Sequence, residues 1–189
     1  MRITERQLRQ IIRETLEGDT PDDTESEEDA LSPENQWLGQ IPSGILTTCS
    51  ARPIPAIRDT SSALSVDAKP RGLWYAPGSE WIDWMRFERP EWLDRVNYVY
   101  RVVPSETVLK LQTVDQVRAF HNKYRSREGR EIFWYTVADN YDGVEIIPYP
   151  VKLRVTDVRW YDRWDLESGC IWRPSGVAEL ELIATRPGV

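Results

Sequence analysis

Between residues 113 and 124 the apolar positions Val117, Phe120 and Tyr124 recur at helical spacing, and Thr113 with Gln116 forms a capping box. The pattern predicts an amphipathic helix. Residues 79–88 read the same way: Ser79 stands at the N-cap, Glu80 and Asp83 come early, Arg86 comes late, and Trp81, Trp84 and Met85 share a face. Pro90 should end that helix. Residues 97–103 alternate, with Tyr98, Tyr100 and Val102 on one side, which predicts a strand; residues 107–111 are expected to return as its hairpin partner. Shorter β-prone runs lie at 45–49, 72–76, 144–147, 151–155, 170–172 and 177–183, and a further helix is expected within 131–140. Strands and helices mixed in this way predict an α+β domain. No internal repeat is present, and no run of 18 apolar residues predicts a membrane span.

The pattern changes before residue 37. Residues 3–16 carry a capping box at Thr4 and Gln7, with Leu8, Ile11, Ile12 and Thr15 or Leu16 recurring at helical spacing beside Arg2, Arg6, Arg9 and Arg13. A helix of about fourteen residues is marginal alone in water and should dock on something. Residues 17–36 hold nine acids and no Lys or Arg, the composition of a disordered acidic linker. The body, 37–189, holds 20 basic and 20 acidic residues, so the formal net charge of −7 belongs to the linker. A nucleic-acid grip by overall charge is therefore disfavoured, while a local basic patch stays open. The N-terminus lacks the apolar core of a secretory signal, so Cys49 and Cys170 are expected as reduced thiols.

Much catalytic chemistry is excluded. No two glycines are spaced Gly-x-Gly, and there is no Walker-type loop. His121 is the sole histidine, so a zinc site of several His or Cys ligands cannot be built and no metal is expected. His121 falls beside Phe120 in the 113–124 helix and reads as a half-exposed helical residue.

Four segments remain. In Lys69-Pro-Arg-Gly-Leu-Trp-Tyr-Ala-Pro-Gly, Trp74 and Tyr75 alternate on a short strand; either one ring lines a cleft or both pack, one in each layer. In Tyr141-Asp-Gly-Val-Glu-Ile-Ile-Pro-Tyr, Glu145 lies between two apolar residues, as a solvent-side or catalytic carboxylate. Trp160, Tyr161, Trp164 and Trp172 cluster as aromatic core or, alternatively, as a stacking surface for a base. Residues 46–59 leave a strand into a Pro-rich turn, where Thr47, Thr48 and Ser50 offer hydroxyls and Arg52 a guanidinium fork.

Taken together, Lys-Pro-x-Gly-Leu-Trp, a Trp-rich helix, a Tyr-rich strand, Phe-His-x-Lys-Tyr, Tyr-Asp-Gly-Val-Glu-Ile and Ser-Gly-Cys-Ile-Trp resemble a group of small bacterial and phage proteins similar to mono-ADP-ribosyltransferases. The resemblance spans residues 45–173. It implies a pair of small sheets with flanking helices, NAD held as substrate in the cleft between them, and a host protein or nucleic acid as acceptor of ADP-ribose. Glu145 matches the family's late-strand Glu, which would stabilise an oxocarbenium-like ribosyl centre. Trp74 and Tyr75 match its middle-strand aromatic region, and Thr48, Ser50 and Arg52 lie at its first-strand position. The chain departs from the pattern twice. Thr47-Thr48-Cys49-Ser50 stands where a His is expected, and Ala76 where a Ser or Thr is common. The alternative implied is a catalytically degenerate relative that serves as a virion structural or partner-binding protein. Residues 1–16 also resemble a leader on proteins of large tailed phages, with Ile12-Arg13-Glu14 similar to a maturation cut site. That implies a phage-encoded protein acting in the host cytoplasm or packaged in the virion, with the phage head as a partner of the leader; the alternative is an ordinary amphipathic helix that binds another protein.

Overall fold

The computed structural model describes Leu31 and residues 33–189; the helix expected at 3–16 and most of the acidic stretch 17–36 lie outside the described residues. The strands are β1 (Leu46–Ser50), β2 (Val66–Asp67), β3 (Leu73–Pro77), β4 (Tyr98–Pro104), β5 (Val108–Lys110), β6 (Ile132–Phe133), β7 (Gly143–Ile146), β8 (Ser168–Ile171) and β9 (Val177–Thr185). The α-helices are α1 (Glu80–Glu88), α2 (Pro90–Leu93), α3 (Val114–Tyr124) and α4 (Trp134–Ala138). Seven strands form one curled sheet in the order β5-β7-β8-β3-β1-β4-β9, and β2 pairs with β6 apart from it. The domain is mixed α+β, with this one large sheet where two separate small sheets were expected. Its waist is narrow: β1 and β3 pair at two positions, Leu46 with Pro77 and Thr47 with Ala76. Beyond them β1 keeps its ladder with β4, and β3 keeps its ladder with β8.

Both faces of the sheet are packed. On the outer face of the β1–β4 half, Leu38, Ile82, Met85, Leu93, Val96 and Val99 form a cluster with the buried sides of α1 and α2. On the β3–β8 half lies an aromatic layer in which Trp134, Trp160, Trp164 and Trp172 have no exposed surface. The inner face holds Tyr75, Val102, Val108 and Ile171, with Leu46, Leu73, Val177 and Leu180 packed against them. Val108 belongs to one edge strand and Val177 and Leu180 to the other, so the sheet is curled until both edges feed a single cluster.

Local signals hold where the determinants are local. In α3, Thr113 accepts from the Gln116 backbone N–H and the Gln116 side chain accepts in return, while Val117, Phe120 and Tyr124 are buried. In α1, Ser79 caps with no side-chain bond to the helix backbone; its hydroxyl donates to Asp83 instead. Two expectations fail. Residues 107–111 do not form a hairpin with β4, because β1 and β9 occupy both of its edges; β5 instead pairs in parallel with β7. Residues 151–155 are not a strand but a 3-10 turn following Pro150, with the Leu153 N–H donating to the Pro150 carbonyl. The expected helix within 131–140 shrinks to the five residues of α4, because Ile132–Phe133 are spent pairing with β2.

Candidate functional site

The site forms around β8. Tyr75 on β3 lies opposite Gly169 on β8, and Gly169 lies opposite Glu145 on β7. Residues directly opposite share a face, so this row aims both polar side chains inward. Glycine at 169 is what lets them meet. A Cβ there would fall 2.2 Å from Tyr75 Cζ and 2.4 Å from its oxygen. The phenol therefore lies across the bare glycine, and its hydroxyl donates to Glu145 Oε2 at 2.9 Å. Tyr75 has no exposed surface and Glu145 keeps 6%. Burial pushes the Tyr75 hydroxyl far above its ordinary range, and the charge and hydrogen bond of Glu145 push it further. Tyr75 thus remains a proton donor, and the buried carboxylate keeps the partner that its burial requires.

Thr48 belongs to the same inner face: it pairs with Tyr100, two positions on from Leu46, and is buried. Thr48, Tyr75 and Glu145 thus share one face of one sheet across its narrow waist. The other expected residues do not join them. Trp74 points into the outer aromatic layer, 4.8 Å from the Trp164 ring and 6.3 Å from the Trp81 ring, with the Lys69 ammonium 5.7 Å from its centroid. Trp74 and Tyr75 therefore pack one in each layer, and Tyr75 is not an open ring at a cleft lip. The Ser50 hydroxyl donates to the Arg52 carbonyl and accepts from its N–H, closing a turn on which the Arg52 side chain is exposed. Ser50 also lines a shallow depression of about 260 Å³ with Cys49, Ala51, Met85, Trp92, Arg95 and Val96. Burial pushes the Cys49 thiol up to about 12, so it stays protonated there. Neither Cys49 nor Cys170 is in a disulfide.

The remaining motifs are structural. Asp142 ties the sheet to its turns: its carbonyl accepts from the Trp172 and Arg173 N–H groups, and its N–H donates to the Thr107 carbonyl. Burial raises the Asp142 carboxyl, but hydrogen bonds from Ser175, Thr107 and Arg173 outweigh that and hold it below its ordinary value. A Cβ on Gly143 would stand 2.8 Å from the Cys170 carbonyl oxygen, so the Tyr-Asp-Gly turn also depends on a close approach to β8. Trp160, Trp164 and Trp172 are fully buried, which makes them core and not a stacking surface. His121 is 4% exposed and not half-exposed, because the turn around Gly129 covers it; its Nδ1 has no hydrogen-bond partner among the described residues. Among the described residues no group of three or more His, Cys, Asp or Glu could hold a metal, and no helix is long and apolar enough to cross a membrane.

Gly169 is the residue that sequence reasoning missed. Its signal was a glycine inside a strand motif, which marks a close approach by another group. Compared with protein-family models, curated proteins and solved structures, the chain matches none.

Proposed function

We propose that the body is an ADP-ribosyltransferase-like domain that takes NAD as substrate and transfers ADP-ribose to a host macromolecule. The observation that carries this reading is the inner-face row. An early strand, a middle strand and a late strand bring Thr48, Tyr75 and Glu145 to one face at the waist of the sheet, with Tyr75 bonded to Glu145. In the reaction, the bond between ribose C1′ and nicotinamide breaks and nicotinamide leaves with the bonding pair. The acceptor nucleophile bonds to C1′ and gives up its proton. Glu145 would stabilise the cationic ribosyl centre, and Tyr75 would hold the carboxylate in place.

A second reading is favoured by the 6% exposure of Glu145. A carboxylate so enclosed, with Thr48 in place of a His, suits a degenerate relative that binds a partner without turning NAD over. Nicotinamide release from NAD, measured beside calorimetric NAD binding, separates the two. The transferase reading expects release by the wild-type chain and a loss of about 100-fold or more in Glu145→Gln, which keeps an acceptor for the Tyr75 hydroxyl. Binding without release, in wild type and variant alike, establishes the degenerate relative. Absence of both sinks the NAD assignment.

A further inference from the structure

The body is neutral as a whole, yet residues 118–131 carry Arg118, Lys123, Arg125, Arg127 and Arg130 against two acids, Glu128 and Glu131. All five cations are exposed, and none is in an ion pair among the described residues. The end of α3 and the following turn gather four of them, Lys123, Arg125, Arg127 and Arg130. The Arg125 N–H bonds back to the His121 carbonyl, the Ser126 N–H donates to the Glu131 carbonyl, and Gly129 takes φ +70° to close the loop. Arg125 then bridges to Ile132, which brings the cationic turn directly against β6.

Aromatic rings stand on the next residues. Tyr135 is 49% exposed, and the half-buried Phe133 meets it edge-on with centroids 5.8 Å apart. Phe133 pairs in turn with the exposed Val66. An exposed ring backed by a half-buried one, next to guanidinium groups outside any ion pair, supplies the two parts of a single-strand binding surface: the cations track phosphates and the rings stack on bases. Three of the four cations in the 123–130 turn are arginines, whose planar fork suits phosphate oxygens. An acidic peptide would satisfy the charges but leave the rings unused.

We propose that the 123–135 face binds single-stranded nucleic acid. The proposal does not rest on the transferase reading, since none of these residues belongs to the Thr48–Tyr75–Glu145 row. The test is fluorescence anisotropy of a labelled poly(U) oligonucleotide titrated with the full chain across a salt series. Tight binding at low salt should weaken as salt rises, and Arg127→Glu with Arg130→Glu should raise Kd by about tenfold or more and flatten the salt slope. Tyr135→Ala should weaken binding by about 5- to 100-fold with the salt slope kept. Arg58→Glu, a single charge reversal at another exposed arginine, should leave Kd nearly unchanged. The proposal is overturned if the wild-type chain does not bind. It is equally overturned if the double variant binds as well as wild type, or if heparin competes as well as the oligonucleotide while Tyr135→Ala loses nothing. Nicotinamide release by the double variant, measured in parallel, keeps this outcome separate from that of the transferase reading.

Discussion

At the scale of single residues the chain places polar groups where burial makes them consequential. Tyr75 and Glu145 satisfy one another; removing either hydrogen-bonding atom would leave the other buried and unpaired, a loss of about 1–3 kcal/mol. His121 is different. Burial lowers its pKa from 6.5, the nearby Arg125 charge lowers it further, and Asp157 opposes them. The unfolded chain therefore binds the proton more readily than the folded one. The stabilisation this gives is complete above pH 6.5 and is lost as pH falls below it toward the folded-state value. Urea unfolding at a series of pH values should show stability declining below pH 6.5 in the wild-type chain and a shallower decline in His121→Phe. Equal slopes in the two proteins would remove His121 as the cause. Its burial was not legible in sequence, because helical periodicity places it at the edge of the Phe120 stripe and says nothing of the Gly129 turn that covers it.

At the scale of elements, legibility tracks the range of the interaction. α3 is readable because its cap and apolar stripe lie within twelve residues of one another. β5 was readable as a strand but not in its pairing, since that depends on which edges of β4 and β7 are already taken. The β3–β8–β7 row is the element-scale feature most open to test. In Gly169→Ala the new methyl would collide with the Tyr75 ring, which is packed in one buried cluster with Val102, Val108 and Ile171. Thermal or urea unfolding should show a loss of about 1–3 kcal/mol, the usual cost of overpacking a well-filled core. Adding Tyr75→Ala, which empties the space over position 169, should make the two losses clearly less than additive. Strict additivity would mean that the ring does not lie over the glycine.

At the scale of the whole molecule, the nine tryptophans sort by depth. Trp134 touches the rings of Phe120, Trp160, Trp164 and Trp172 and has no exposed surface. Trp92, at 49% exposure, packs against Trp84 and under the Arg89 guanidinium. Trp134→Ala should cost about 3–5 kcal/mol through the cavity it leaves, whereas Trp92→Ala should stay within about 1 kcal/mol. Comparable losses at the two sites, read by urea denaturation, would contradict this layering.

The sequence by itself determined the α+β class, the α3 helix with its caps, the alternation of β4 and the confinement of net charge to the acidic stretch. All of these follow from interactions between near neighbours in the chain, where propensity, capping and periodicity act. The tertiary structure alone decided that Glu145 meets a tyrosine 70 residues away and that Trp74 and Tyr75 face opposite layers. Those outcomes depend on strand order and on the curl of the sheet. Both are set by the joint burial of the inner cluster and the outer layers, and no local segment of the chain carries that information.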